Sequence, residues 1–105
     1  MKRYSVYFNP LADQELEQIQ DYIRNTLLEP LIASRQIDML IDACLALETM
    51  PYEYPVVEGI RKREFDIHKK SVGNYVIFYM INESESYVSI EHILHGRQNW
   101  RAKLI

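Results

Sequence analysis

Cysteine is almost missing from this 105-residue chain: Cys44 stands alone, so no intrachain disulfide can form. Glycine is nearly as scarce, with Gly59, Gly73 and Gly96 isolated from one another. A phosphate-cradling loop needs glycines clustered before a helix, and no such cluster exists. Long apolar runs are lacking too. The longest, Tyr75 to Ile81, falls far below the roughly 20 residues of a bilayer-spanning helix. No apolar stretch follows Lys2-Arg3 to make a signal peptide, so a cytoplasmic protein without a membrane segment is expected. With no HExxH motif and no cysteine cluster, neither a metal nor another cofactor is expected. No nucleophile elbow points to acyl transfer. Bulk positive charge is also absent, since a net charge of −3 and a pI near 5.6 argue against a protein held on nucleic acid by charge alone.

What is present is an ordinary globular composition, 48% hydrophobic and 26% charged, that predicts one domain over residues 1–105. A domain of this size buries roughly two-thirds of its unfolded surface, enough for one core with little stability to spare. The charge is unevenly placed. Residues 1–59 carry four Lys/Arg against ten Asp/Glu, whereas residues 60–105 carry eight against five. An acidic half therefore precedes a basic half.

Hydrophobic period divides the chain into elements. Residues 3–8 alternate as a strand, with Tyr4, Val6 and Phe8 on one side. Asn9-Pro10 is an N-cap followed by a proline tolerated at the first helical position. Ala12, Leu16, Ile19, Ile23 and Leu27 then fall on one helical face. Glu29-Pro30 breaks that helix and starts another, in which Ala33, Ile37, Leu40, Ile41, Cys44 and Leu47 repeat the pattern up to Pro51. So short a break predicts a helical hairpin. Cys44 lies on the apolar stripe, as a small core residue does.

Residues 51–59, with two prolines and a glycine, predict a loop, and residues 60–70 a strand with basic ends. A turn at 71–74 leads into Tyr75 to Ile81, whose unbroken apolar character fits a central strand. NESES makes a polar turn at 82–86, and residues 87–95 alternate again up to Gly96. The closing segment predicts a helical turn or strap with Trp100 and Leu104 buried. The order is β-α-α-β-β-β, an α+β fold with the helical hairpin on one face of a mostly antiparallel sheet.

Two constellations remain. His92 and His95, three apart in a strand, face opposite sides and cannot share a metal. A cationic group, Arg61, Lys62 and Arg63 at the start of one strand and Arg97, Arg101 and Lys103 after another, can be drawn together by an antiparallel sheet. Guanidinium groups grip phosphate while Trp100, Tyr79 or Tyr75 stack on bases, which suits nucleic acid. The same cations equally suit the acidic helices or an acidic partner peptide, and composition alone does not separate the two.

The stretch NYVIFYMI followed by VSIEHILHGRQNW, together with NPLADQELEQIQDYI and LETMPYEYP, resembles the RelE/ParE superfamily of bacterial type II toxins. The resemblance covers nearly the whole chain. It implies a small toxin neutralised by a cognate antitoxin, and two mechanisms: poisoning DNA gyrase in ParE-like members, or metal-independent mRNA cleavage on the ribosome in RelE-like members. The ribonuclease branch carries an arginine at what corresponds to Val76, and here that position is apolar. The VIFY and ILHGR pieces are more similar to the ParE branch, which implies gyrase as target, with Arg61, Lys62, Arg97, Trp100 and Arg101 as target-binding residues. Were the chain a ribonuclease, its site would need a base, an acid and cations for the phosphorane, and the best assignment is His95 as acid or base, Arg97 and Arg63 on the phosphate, and Glu64 as partner base if it faces the same cleft. A binding module that keeps antitoxin recognition without toxicity is the remaining alternative.

Overall fold

The computed structural model describes residues 1–62 and 65–104. Its elements run β1 (Ser5–Phe8), α1 (Pro10–Asp21), α2 (Pro30–Leu45), β2 (Val56–Lys62), β3 (Phe65–Val72), β4 (Tyr75–Asn82), β5 (Tyr87–His95) and α3 (Trp100–Leu104). The strands form one sheet in the order β1-β5-β4-β3-β2, antiparallel except that β1 pairs parallel with β5. The α+β fold expected from the sequence is the one observed. One detail differs: the segment predicted as a loop and then one strand is a hairpin of two, β2 and β3. β2 begins at Val56, inside the expected loop, and Gly59, with φ of 77°, sits where its register with β3 shifts. Glycine supplies that left-handed backbone without steric penalty, so β2 bulges rather than breaking.

The helix signals behave as capping physics requires. Asn9 Oδ1 accepts the Leu11 N–H at 2.9 Å with Pro10 at the first helical position, a cap worth about 1 kcal/mol. Ala12, Leu16 and Ile23 are buried, but Leu27, expected on the same face, is half exposed. A π-turn over Tyr22–Thr26, closed by Leu27 N–H to the Tyr22 carbonyl at 3.1 Å, adds a residue to that turn and swings Leu27 off the stripe.

The two hydrophobic layers explain the character of β4. On one face, α1, α2 and the 3₁₀ turn after α2 press Ala12, Leu16, Leu40, Cys44 and Leu47 onto Ile77, Tyr79, Val88 and Ile90. On the other, α3 brings Leu104 and the half-buried Trp100 against Val57, Ile67, Phe78 and Leu94. β4 is the middle strand, so Ile77, Phe78 and Tyr79 are all fully buried. Burying each side chain of this kind contributes about 1.5–3 kcal/mol. Cys44 is fully buried in the first layer, and burial pushes its thiol up to about 12, which suits a packing residue and not a nucleophile. No helix among the described residues is long and apolar enough to cross a membrane.

Candidate functional site

The C-terminal end of β5 emerges where the β3–β4 turn, α1 and the loop into α3 meet. Gly73, with φ of 58°, makes the tight turn that sets Tyr75 opposite Val72, and on its other side Tyr75 pairs with His95. The Gly96 N–H then donates to the Asn74 carbonyl at 2.8 Å. A Cβ at Gly96 would stand 3.4 Å from that same oxygen, an ordinary van der Waals contact. Tyr75 and His95 rings meet edge to face at 5.3 Å between centroids.

His95 is fixed by its own loop. The Arg97 backbone N–H donates to His95 Nδ1 at 3.1 Å, while the His95 N–H donates to Gln98 Oε1 at 3.1 Å. An amide N–H can only donate, so Nδ1 is the acceptor and the proton of the neutral ring sits on Nε2. His95 therefore presents a donor outward. Arg97 itself is exposed, and its guanidinium has no ion-pair partner among the described residues.

Two hollows flank the Tyr75–His95 pair, and both of these residues line each. One, of about 360 Å³, opens toward α1 between Glu15, Ile19, Tyr22 and Ile93, with Gln98 and Lys103 at its side. The other, of about 330 Å³, opens toward the β3–β4 turn and Arg97. The wall of the first is held by Glu15. Beyond the last β1–β5 pair, Phe8 with Ile90, the edge of β5 is unpaired, and there the Ile93 N–H donates to Glu15 Oε1 at 3.0 Å. Glu15 Oε2 meets His92 Nδ1 at 2.9 Å. Both carboxylate oxygens are thus engaged.

The remaining candidates are dispersed. His92 is buried against Glu15 and does not join His95. Trp100 packs on Phe78 with ring centroids 5.2 Å apart, and its ring already carries Arg101 at 5.0 Å and Lys69 Nζ at 5.5 Å. Arg101 also donates to the Glu58 carbonyl at 3.0 Å, tying α3 to β2. The backbone of Arg61 and Lys62 pairs with Asp66 and Phe65 at the end of β3 remote from Val72, whereas Val72 pairs with Tyr75 beside His95. The sheet register therefore separates these two residues from Arg97 instead of gathering them. Arg63 and Glu64 lie outside the described residues. Tyr79, suggested as a stacking platform, is instead fully buried, with its hydroxyl donating to the Pro51 carbonyl at 2.6 Å. Among the described residues, no group of three or more His, Cys, Asp or Glu could hold a metal ion.

Sequence reasoning passed over Glu15 and Tyr22, and held Lys103 only as one of the cationic group. The signal for Glu15 was weak but real: it stands four residues before Ile19, at the border of the apolar stripe, where a carboxylate can reach a strand edge.

A family model described as the ParE toxin of the parDE type II toxin–antitoxin system matches residues 6–100. The chain belongs to the ParE toxin family. Solved structures agree on the ParE fold. A chain of the chromosomal ParDE toxin–antitoxin system from P. aeruginosa superposes with a TM-score of 0.69 at 12% identity, covering 90% of this chain and 98% of that one. The toxin–antitoxin complex RelBE2 from Mycobacterium tuberculosis contains a chain similar at a TM-score of 0.62 and 19% identity, over 90% and 93% of the two chains. A chain of the archaeal RelE–RelB complex from Pyrococcus horikoshii OT3 gives 0.63 and 15%, over 93% and 99%. No curated protein matches the sequence.

Proposed function

We propose that this ParE-family chain is the growth-inhibiting toxin of a type II toxin–antitoxin pair. In this reading it poisons DNA gyrase through the β5 end, with Arg97 as the principal contact, and a cognate antitoxin covers that end. The observation that carries the choice of target is the state of His95. A ribonuclease needs a ring nitrogen with a free lone pair to take the 2′-OH proton, or a charged imidazolium to give a proton to the leaving oxygen. In His95 the Nδ1 lone pair is occupied by the Arg97 N–H, and Nε2 bears the proton. Charging the ring would break that bond. Val76, where the ribonuclease branch places an arginine, is packed with Phe78 and Trp100 in the second apolar layer. Val76 is half-buried and supplies neither charge nor hydrogen bond to a phosphate.

Purified chain titrated into a gyrase supercoiling reaction tests this. The expected result is loss of supercoiling or accumulation of cleaved DNA, weakened at least tenfold by Arg97→Ala. Programmed ribosomes carrying mRNA should remain uncut. Growth arrest with gyrase unaffected would remove the gyrase target, and codon-proximal cleavage lost in His95→Ala would replace it with ribonuclease activity. Absence of any growth defect alongside tight binding to the neighbouring gene's product would leave only a binding module.

A further inference from the structure

The cavity of about 360 Å³ between α1 and the end of β5 falls within the size range of ligand pockets, about 300–1,000 Å³. Its walls are aromatic and apolar: Tyr22, Tyr75, Ile19 and Ile93. Its polar groups are unbalanced in a way that names the ligand. The one carboxylate, Glu15, already accepts from the Ile93 N–H and meets His92, so it offers no oxygen readily to a guest. Gln18 and the Tyr22 and Tyr75 hydroxyls can donate or accept, and the other groups left over are donors. His95 presents Nε2–H, the Gln98 side chain keeps its NH2 because its oxygen takes the His95 N–H, and Lys103 has no ion-pair partner among the described residues. A site with apolar walls, one lysine and its single carboxylate already engaged selects an apolar ring or branched chain next to a negative charge.

The surroundings decide which anion. Lys103 is the one lysine or arginine among the residues that line the cavity. A nucleic-acid strand needs a track of cations for successive phosphates, and a single lysine is no such track. A single carboxylate beside an apolar side chain needs only Lys103. We propose that the cavity is an anchor site for an acidic peptide of the partner protein, taking one aromatic or branched side chain with the carboxylate adjacent to it. This rests on the reading that the chain is neutralised by a partner, and it adds where that partner is gripped and what chemistry its gripping residue must have.

The test is an NMR titration of the isotope-labelled full chain with N-acetyl-phenylalanine, its uncharged amide, and a short single-stranded RNA. Both small probes should shift Ile19, Ile93 and His95 resonances, with affinity in about the millimolar range for so few atoms. The carboxylate form should bind about three- to fivefold more tightly than the amide, as a half-exposed charge contact allows. Lys103→Met should erase that difference, and Tyr22→Ser should weaken both probes alike. Tyr22 is exposed, so its replacement leaves the core intact. Equal affinities, shifts elsewhere on the chain, or RNA displacing the probes from this cavity would overturn the assignment. Growth arrest is scored separately on the wild-type chain. Arrest without probe binding overturns the anchor site alone, whereas carboxylate-selective binding without arrest removes the toxin reading and leaves the site standing.

Discussion

The two ends of the sheet carry similar polar residues arranged to opposite effect. At the β4–β5 turn, Glu83 Oε1 accepts from Tyr4 at 2.7 Å and from Tyr52 at 3.0 Å, and Lys2 pairs with Oε2. The hydrogen bond from Lys2, joined by those from the two tyrosines, holds the Glu83 carboxyl well down from its ordinary 4.5, to about 2. Tyr4, hydrogen-bonded to that carboxylate, is pushed up to about 12. This end is closed on itself and staples the N-terminal strand to the turn. At the other end, His95, Gln98, Arg97 and Lys103 keep donors that no described residue takes. Polar groups that satisfy one another hold a fold, and polar groups left with open hydrogen-bonding capacity are where a partner gains by binding.

That contrast can be broken by substitution, and the effects should fall in a definite order. Glu15→Ala should be the most damaging to stability, because it strips the partner from both the Ile93 N–H and the buried His92. A loss of about 2–3 kcal/mol in chemical denaturation is expected, along with loss of the α1-side cavity. Tyr79→Phe should follow at about 1–2 kcal/mol, since the Pro51 carbonyl would lose its buried donor while the ring still packs. Glu83→Gln at the closed end should act through pH. Because the folded carboxyl titrates near 2 and the unfolded one near 4.5, its stabilising effect is complete above 4.5 and is lost as pH falls toward 2. Melting curves should therefore separate wild type from Glu83→Gln at pH 6 and converge near pH 2. Arg97→Ala should change stability least, within about 0.5 kcal/mol, because an exposed side chain without a partner contributes little to folding.

How far the sequence foretold this contrast depends on whether a signal was local. The Asn9-Pro10 cap, the α2 stripe and the apolar run of β4 were legible because each depends on neighbours in the chain. The β2–β3 hairpin was not, since Gly59 relieves the backbone only once β3 is beside it, and no residue count in 51–59 announces a bulge. Leu27 was misplaced because period counting assumes 3.6 residues per turn and the π-turn breaks that assumption. The site was half visible. His95 and Arg97 stood out as residue types, but the tautomer of His95 comes from a backbone N–H two residues on, and Glu15 reaches its partners across more than 75 positions. Gathering Arg61 and Lys62 with Arg97 was a guess about register, and the pairing of Val72 with Tyr75 sets them apart.

The most direct test sets one residue from each end against the other, measuring growth arrest on induction together with thermal stability for Arg97→Ala and Glu83→Gln. The two should cross: Arg97→Ala loses growth arrest at unchanged melting temperature, while Glu83→Gln melts earlier at neutral pH and still arrests growth. Full arrest by Arg97→Ala, or loss of arrest by a folded Glu83→Gln, would contradict the assignment of function to the β5 end.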